Sequence, residues 1–282
     1  MHQRPTTTAG LLGDTASRDY SAKLRRFNAF AAPELRQAIA SLALTPGMHI
    51  LDAGCGTGEA LSWLAEHAGG ESVVFGVELA APHAREASLC MPSSRTQVLQ
   101  ADILHLPFPP ESFDLIWSVN VIHHLHAPPE GAAALKALLR PGGRLAFGQS
   151  SFLPDMYFAW DSRLERLVNE AVRQYYRDRY RLDERELASV RGLVGLLQRA
   201  GLGKVRAKTF LIERTAPLRA ADEDYLLQTL FRDTWGTRLQ PYLPGDDHAE
   251  LLRLCDPADE RYALRRPDFH FLQTFTLAVG EA

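Results

Sequence analysis

The chain has 282 residues, 46% of them hydrophobic, and a formal net charge of -3 at pH 7. That suffices for one large α/β domain with insertions, or for a core with a small lid, and gives no electrostatic reason to expect nucleic acid. No uninterrupted apolar run reaches membrane-spanning length, the opening Met-His-Gln-Arg-Pro-Thr-Thr-Thr lacks the apolar core of a signal peptide, and the three cysteines (Cys55, Cys90, Cys255) have neither zinc nor redox spacing, so the expectation is a cytoplasmic protein without a disulfide scaffold.

In chain order, the first ten or so residues read as disordered. Residues 20–30 carry Tyr20, Leu24, Phe27 and Phe30 at helical spacing. Pro33, well placed in a first turn, is expected to start a second helix with Leu35, Ile39 and Leu42 on one face. Thr45-Pro46-Gly47 breaks it, and residues 49–53 form the first strand. Residues 50–60, Ile-Leu-Asp-Ala-Gly-Cys-Gly-Thr-Gly-Glu-Ala, are the most informative segment. Gly54, Gly56 and Gly58 alternate where a strand must turn tightly, and glycine there lets a ligand approach the backbone. The helix expected over 59–67 turns its N-terminus toward that ligand.

The details point away from a dinucleotide, whose G-x-G-x-x-G/A pattern would need a small residue where Glu59 stands. Asp52 would repel a pyrophosphate and suits a cation. A ligand with an ammonium and an adenosine, and no phosphate, fits better. Strands at 72–77, 96–100, 113–119 and 145–148 alternate with helices at 82–89 and 132–139, the last closed by Arg-Pro-Gly-Gly at 140–143, a rhythm that means a doubly wound sheet. Glu78, 20 residues after Gly58, stands where such a sheet keeps a carboxylate for ribose hydroxyls. After residue 150 the rhythm stops. An amphipathic helix over 160–180 has Leu164, Leu167, Val168, Ala171, Val172 and Tyr175 on its apolar stripe. A helix marked by Leu187, Val190, Val194 and Leu197 and ended by Ala200-Gly201 precedes a strand at 204–212. A largely helical insertion covers about 217–266, and residues 269–279 form a closing strand.

Hydrophobic-Leu-Asp-Ala-Gly-Cys-Gly-Thr-Gly resembles the glycine-rich motif of class I S-adenosylmethionine-dependent methyltransferases. Ala-Asp-Ile-Leu-His-Leu-Pro-Phe-Pro from Ala101, Glu-Ser-Phe-Asp-Leu-Ile-Trp-Ser-Val-Asn-Val-Ile-His-His-Leu from Glu111, and Pro-Gly-Gly-Arg-Leu from Pro141 follow in that family's order, so the resemblance covers about residues 45–150. It implies a seven-stranded, mostly parallel Rossmann-like sheet with N-terminal helices and a helical cap. Residues 1–45 would be the N-terminal segment and 46–150 the S-adenosylmethionine-binding core. Residues 151–282 would hold the cap insertions, about 151–203 and 217–266, and the last two core strands. The cofactor it implies is S-adenosyl-L-methionine, held by Asp52, Gly54, Cys55, Gly56, Thr57, Gly58, Glu78, Leu79 and Asn120. Asp102 would accept from the adenine amino group, Ile103 would pack on the ring, and Tyr20 would fold over the cofactor.

An alcohol or phenol acceptor must lose its proton, and His is the usual base near neutral pH. His123 and His124, just past the fourth strand and followed by His126, resemble the loop of natural-product sugar O-methyltransferases and of quinone-type relatives. One of the pair is expected to serve as base, with activity falling as pH drops through about 6.5. Packing the loop or orienting substrate are the other roles considered, and no metal is expected. Phe152, Tyr157, Phe158, Trp160, Tyr175, Tyr176, Phe231 and Trp235 are expected to cap a pocket for a medium-sized apolar acceptor. The expectation is O-methylation of a small molecule in natural-product metabolism by a monomer or homodimer, without nucleic-acid or membrane partners. N- or C-methylation and a non-methylating cyclase that binds the same cofactor are the alternatives.

Overall fold

The computed structural model describes residues 19–91, 94–125, 127–150, 157–158, 161–180 and 189–282. Expectations placed on residues 1–18, on His126, Phe152, Trp160 and Leu187, and on the side chains of Tyr157, Phe158 and Val190 lie outside what it describes. The strands are β1 (His49–Ala53), β2 (Val73–Glu78), β3 (Thr96–Gln100), β4 (Phe113–Val119), β5 (Leu139–Ser150), β6 (Tyr157–Phe158), β7 (Gly203–Thr215) and β8 (His270–Glu281). They form one sheet in the order β3-β2-β1-β4-β5-β8, with β7 on the far side of β8. β1 to β5 pair in parallel, and β8 runs antiparallel between β5 and β7. The short β6 continues the line of β5 along β8, pairing Tyr157 with Leu272 after β5 has paired Ser150 with Phe275. The expected seven strands are therefore present, with this two-residue strand added.

Alternation along the strands explains how one sheet serves two cores. Ile50, Leu115, Trp117 and Ala146 face one apolar layer; Leu51, Ile116, Leu145 and Phe147 face the other. The first layer is closed by α1 (Ser21–Ala40), α2 (Glu59–Ala68) and α5 (Ser162–Tyr180), the second by α4 (Pro128–Lys136) and α6 (Ser189–Arg199). α3 (Ala81–Leu89) packs beside β2 and β3. In α5, Leu164, Val168, Ala171 and Val172 are buried as the periodicity requires, with Leu167 and Tyr175 partly buried against them. No helix among the described residues is long and apolar enough to cross a membrane.

Two local expectations are corrected. The N-terminal segment is one helix, not two, because α1 runs through Pro33. Proline loosens the turn before it, and the carbonyl of Phe30 there accepts from the Arg214 guanidinium at 2.6 Å. Arg140-Pro141-Gly142-Gly143 does not close a helix but lies within β5, as an irregularity in its pairing with β4 between Phe113 and Leu115. A Cβ at Gly143 would stand 2.9 Å from the Arg140 carbonyl oxygen and 3.0 Å from that of Phe113, so only glycine lets these strands close up.

The cap between β7 and β8 consists of α7 (Ala220–Asp224), a π-helical stretch Tyr225–Trp235, a 3-10 stretch Gly236–Tyr242 and α8 (Gly245–Cys255). Its attachment is ionic as well as apolar. Arg214 of β7 is buried and uses all its N–H donors: on Glu34 of α1 at 2.8 and 2.9 Å, Asp222 of α7 at 2.9 Å, the Phe30 carbonyl, and the Glu213 carbonyl at 2.7 Å. The same guanidinium lies 4.8 Å over the Phe30 ring.

Candidate active site

β1 leads to β2 on one side and neighbours β4 on the other, so the strand order reverses between β1 and β4. In an open α/β sheet the crevice beyond the strand ends at that point is the ligand site. A cavity of about 530 Å³ opens there, within the range that small-molecule sites take.

The glycine loop forms its floor. The N–H groups of Gly54 and Cys55 both donate to the Val77 carbonyl, at 2.8 and 2.9 Å, which bends the chain sharply out of β1. Gly54 has φ +88°, and a Cβ on it would lie 2.3 Å from a methyl of Val121. Gly58 has φ +93°, and a Cβ would lie 2.9 Å from the backbone of Ala87. The chain itself requires these two glycines. Gly56 is different: its φ is +54°, and the nearest atom a Cβ would meet is the flexible end of Leu24 at 3.2 Å. It leaves open space for a ligand to reach the backbone. Cys55 also lines the cavity, and burial pushes its thiol well above the ordinary value, so it is inert filling. Thr57 and Gly58 do not wall the cavity. Thr57 is buried, and its hydroxyl donates at 2.7 Å to Glu59, which also accepts from Asn28 of α1 at 2.7 Å. These two expected contact residues instead brace the loop, because the helix start turns them away from the crevice.

Asp52 ends in the same cavity, and its Oδ2 is buried with no hydrogen-bond partner among the described residues. Burial, with the charges of Glu78 and Glu59 beside it, pushes this carboxyl well above the usual carboxylate range. A buried acid without a counter-charge costs stability and fits a cationic ligand. The sign follows from linkage: a raised folded value favours the folded protein at low pH, and that contribution is lost as pH rises through it. Asp52→Asn is therefore expected to raise the thermal midpoint of the ligand-free protein at neutral pH. The same change should weaken binding of a cationic ligand by about 1.5–3 kcal/mol, the range for a hydrogen bond to a charged group. Calorimetric scans and titrations on the two proteins check both halves; a lower midpoint or unchanged affinity would refute the assignment.

Glu78 is held in advance. One carboxylate oxygen accepts from the Gly56 N–H at 3.0 Å, and the other accepts from the Ala80 N–H at 2.9 Å. His83 Nδ1 lies 3.7 Å from Glu78. Its Nε2 accepts from the Tyr20 N–H at 3.1 Å, and the two rings meet edge to face at 4.5 Å. His83, a buried residue without a sequence signal, thus ties the start of α1 to the carboxylate. Tyr20 and Leu79 line the cavity. So do Asp102, whose side chain caps the following turn by accepting from the Leu104 N–H at 2.9 Å, and Ile103, which is buried.

The opposite wall comes from the ends of β4 and β5. Asn120 has φ +57°, an uncommon value for a residue with a side chain. Its Oδ1 accepts from the Ser150 N–H at 2.8 Å and from the Gln149 amide at 3.1 Å. Asn120 therefore belongs to a network with Gln149 rather than acting alone. His123 is buried, its Nδ1 lies 2.8 Å from Gln149 Oε1, and its ring centroid lies 3.9 Å from that of His124. Burial first, then the neighbouring His124, holds His123 well below the ordinary imidazole value, with the Gln149 bond opposing. That corrects the expectation of a titration near 6.5.

The cap adds Tyr225, Thr229, Leu230 and Thr234 to the lining, joined by Tyr176 of α5 and Gln273 of β8. Phe231 and Trp235 do not reach it; they are buried against each other at 5.3 Å in the core of the cap. Among the described lining residues Lys23 is the only lysine or arginine. Sequence reasoning missed Gln149, His83, Leu24 and the cap threonines. Only Gln149 carried a signal, its place at the carboxyl end of a core strand.

A family model described as a methyltransferase domain matches residues 51–147. The chain is 34% identical over 110 residues to methyltransferase GfsG of Streptomyces halstedii, covering 37% of this chain and 38% of that protein. It is 31% identical over 117 residues to the 27-O-demethylrifamycin SV methyltransferase of Amycolatopsis mediterranei, covering 40% and 42%. In both cases the match spans less than half of the relative's own length. The fold is similar to that of the YcgJ protein of Bacillus subtilis, with a TM-score of 0.54, 16% identity, and coverage of 88% of this chain and 98% of that one.

Proposed function

We propose that residues 51–147, which match a methyltransferase-domain model, act as a class I S-adenosylmethionine-dependent methyltransferase domain, and that this chain methylates an oxygen of a small, uncharged acceptor held beneath the cap. The observation that carries the reading is that one cavity joins the glycine cradle to a buried His123. S-adenosylmethionine, the cofactor, supplies when bound an electrophilic methyl group on a sulfonium. The donors present fit it. Asp52 offers a buried carboxylate oxygen to the cationic end, Glu78 two fixed carboxylate oxygens to the ribose hydroxyls, and Asp102 with Ile103 a polar and an apolar neighbour to the adenine. Gly56 gives the backbone clearance.

The acceptor's character is argued from the walls. The carboxylates Asp52, Glu78, Asp102 and Glu130 share the cavity with a single lysine, which disfavours a carboxylate or phosphate acceptor. Phe27, Tyr176, Tyr225 and Leu230 offer apolar area, while Ser150, Thr229 and Thr234 supply hydroxyls. A neutral molecule with an apolar body and a hydroxyl matches that mixture. The 27-O-demethylrifamycin SV methyltransferase, by its name an enzyme of that chemistry, supports a natural-product acceptor.

The test is transfer of a labelled methyl from S-adenosylmethionine to a panel of neutral phenols and alcohols, amines and carboxylates. Labelled ethers with one S-adenosylhomocysteine released per transfer are expected. Labelling confined to amines, carbons or carboxylates would overturn the oxygen assignment, and consumption of acceptor without S-adenosylhomocysteine would point to a cyclase. In the same system Glu78→Ala is expected to weaken S-adenosylmethionine binding by about 1–3 kcal/mol, the range for a lost charged hydrogen-bond partner. Titration calorimetry checks it, and unchanged affinity would remove Glu78 from the site.

A further inference from the structure

We propose that Gln149 is a positioning residue: its side-chain carbonyl fixes His123 in the tautomer that carries the proton on Nδ1 and the lone pair on Nε2, which makes His123 rather than His124 the proton acceptor. Only the role as proton acceptor rests on the methyltransferase reading; the tautomer is argued from hydrogen bonds alone.

The chain of inference starts at a backbone donor whose identity is not in question. The Ser150 N–H lies 2.8 Å from a side-chain atom of Asn120, so that atom is the Asn120 oxygen. The same oxygen lies 3.1 Å from the Gln149 amide, which must then present its nitrogen. That nitrogen also donates to the Ser150 carbonyl at 3.2 Å. The oxygen of Gln149 is thereby turned toward His123, 2.8 Å from Nδ1, and an oxygen there requires a proton on Nδ1. Flipping either amide would set donor against donor or acceptor against acceptor in a place where buried polar groups are almost always matched. Gln149 and Asn120 thus hand the direction of a backbone N–H, through two amides, to an imidazole.

The consequence is chemical. An imidazole free to exchange tautomers offers an acceptor hydroxyl an N–H in part of its population, and that nitrogen cannot take a proton. With Nδ1–H committed to Gln149, Nε2 is the basic atom throughout. In turnover the hydroxyl proton passes to Nε2 as the oxygen bonds to the methyl carbon. The carbon–sulfur bond breaks toward sulfur, which leaves as a neutral thioether. The imidazolium keeps its bond to Gln149 and later returns the proton to solvent. Glutamine suits this better than an acid would. It orients the ring without a charge that would hold the proton. The other titratable groups in this cavity are His124 in the same turn, Glu130 on α4, Asp52, Glu78 and Asp102 at or beyond the strand ends, Cys55 in the glycine loop, His83 on α3, Lys23 on α1, and the phenols of Tyr20, Tyr176 and Tyr225.

The test is long-range proton–nitrogen NMR on the full chain labelled at its imidazole nitrogens, with His123 assigned by the signal lost in His123→Gln. At neutral pH the parent should show a protonated Nδ1 and an unprotonated Nε2 for this residue. Gln149→Met, which keeps the bulk and removes the carbonyl, should abolish that pattern. Gln149→Glu should keep the pattern and move the titration midpoint of His123 upward by about 1–3 pH units, as a neighbouring opposite charge does. A parent His123 protonated on Nε2 would overturn the proposal, and so would a Gln149→Met protein with the parent's tautomer. If the parent fails to bind S-adenosylmethionine in calorimetry, the methyltransferase reading falls while the tautomer result stands.

Discussion

His123→Ala is expected to lower the single-turnover rate of methyl transfer roughly 10²–10⁴-fold, the span associated with a positioned general base. Affinity for S-adenosylmethionine should stay unchanged, because His123 stands on the wall formed by β4 and β5 while the cradle is built from β1 and β2. His124→Ala should cost less, since the Gln149 bond is made by His123. The measurement is rapid-quench turnover with whichever hydroxylated acceptor takes label, and rates within a few-fold of the parent for His123→Ala would eliminate the base role. The pH dependence has a definite sign. A base held below the ordinary imidazole value stays deprotonated into mildly acidic solution, so the acid limb of activity falls below about pH 6.5 rather than at it. Stability follows the same group. Its folded value lies below its unfolded value, so nothing is lost above about pH 6.5, and stability declines as pH falls from there toward the lowered value.

The second large effect is structural. Arg214→Met should destabilise the fold by about 3–5 kcal/mol, the cost of breaking a buried ion pair by removing one partner. Glu34 loses both of its bonds to the guanidinium, and Asp222 keeps only Arg219, which reaches it at 2.6 and 2.7 Å. At roughly 2–4 °C per kcal/mol for a chain of this size class, the midpoint drops by on the order of 10 °C. Denaturant unfolding of Arg214→Met beside the double variant Glu34→Gln/Arg214→Met is the check. Neutralising the stranded acid should recover part of the loss, and a single variant as stable as the parent would show that the network contributes little. The same variant should also weaken cofactor binding, because α1, which this network anchors, supplies Leu24 and Asn28 to the cavity.

Much of the site follows from local pattern. Alternating glycines after an apolar strand meet a left-handed turn wherever they occur, and Asp52, Gly54, Gly56, Glu78, Asp102 and Asn120 stand at or just beyond strand ends whose positions apolar periodicity reveals. Strand order then places those ends together, so the convergence of these residues on one cavity was legible from one dimension. The strand lengths were less so. β5 begins at Leu139, because Gly143 lets two backbones approach where the Pro-Gly-Gly run reads as a loop.

What the sequence by itself determined, then, is the doubly wound sheet, its switch point and the carboxylates and glycines that converge there, because each rests on spacing between near neighbours. Tertiary structure alone decided the continuity of α1 across Pro33, where local signals read as a second helix start. It alone showed that Gly56 lines the cavity while its neighbour Thr57 turns away and bonds to Glu59. It also distinguished the two histidines. His123 and His124 are adjacent and chemically identical in the sequence, and Gln149, 26 residues on from His123, lies 2.8 Å from the Nδ1 of that ring. Pairings of that kind have no periodicity to betray them, because the residues that make them come from different elements, a strand and a helix or a strand and a turn, and meet only when the chain has folded.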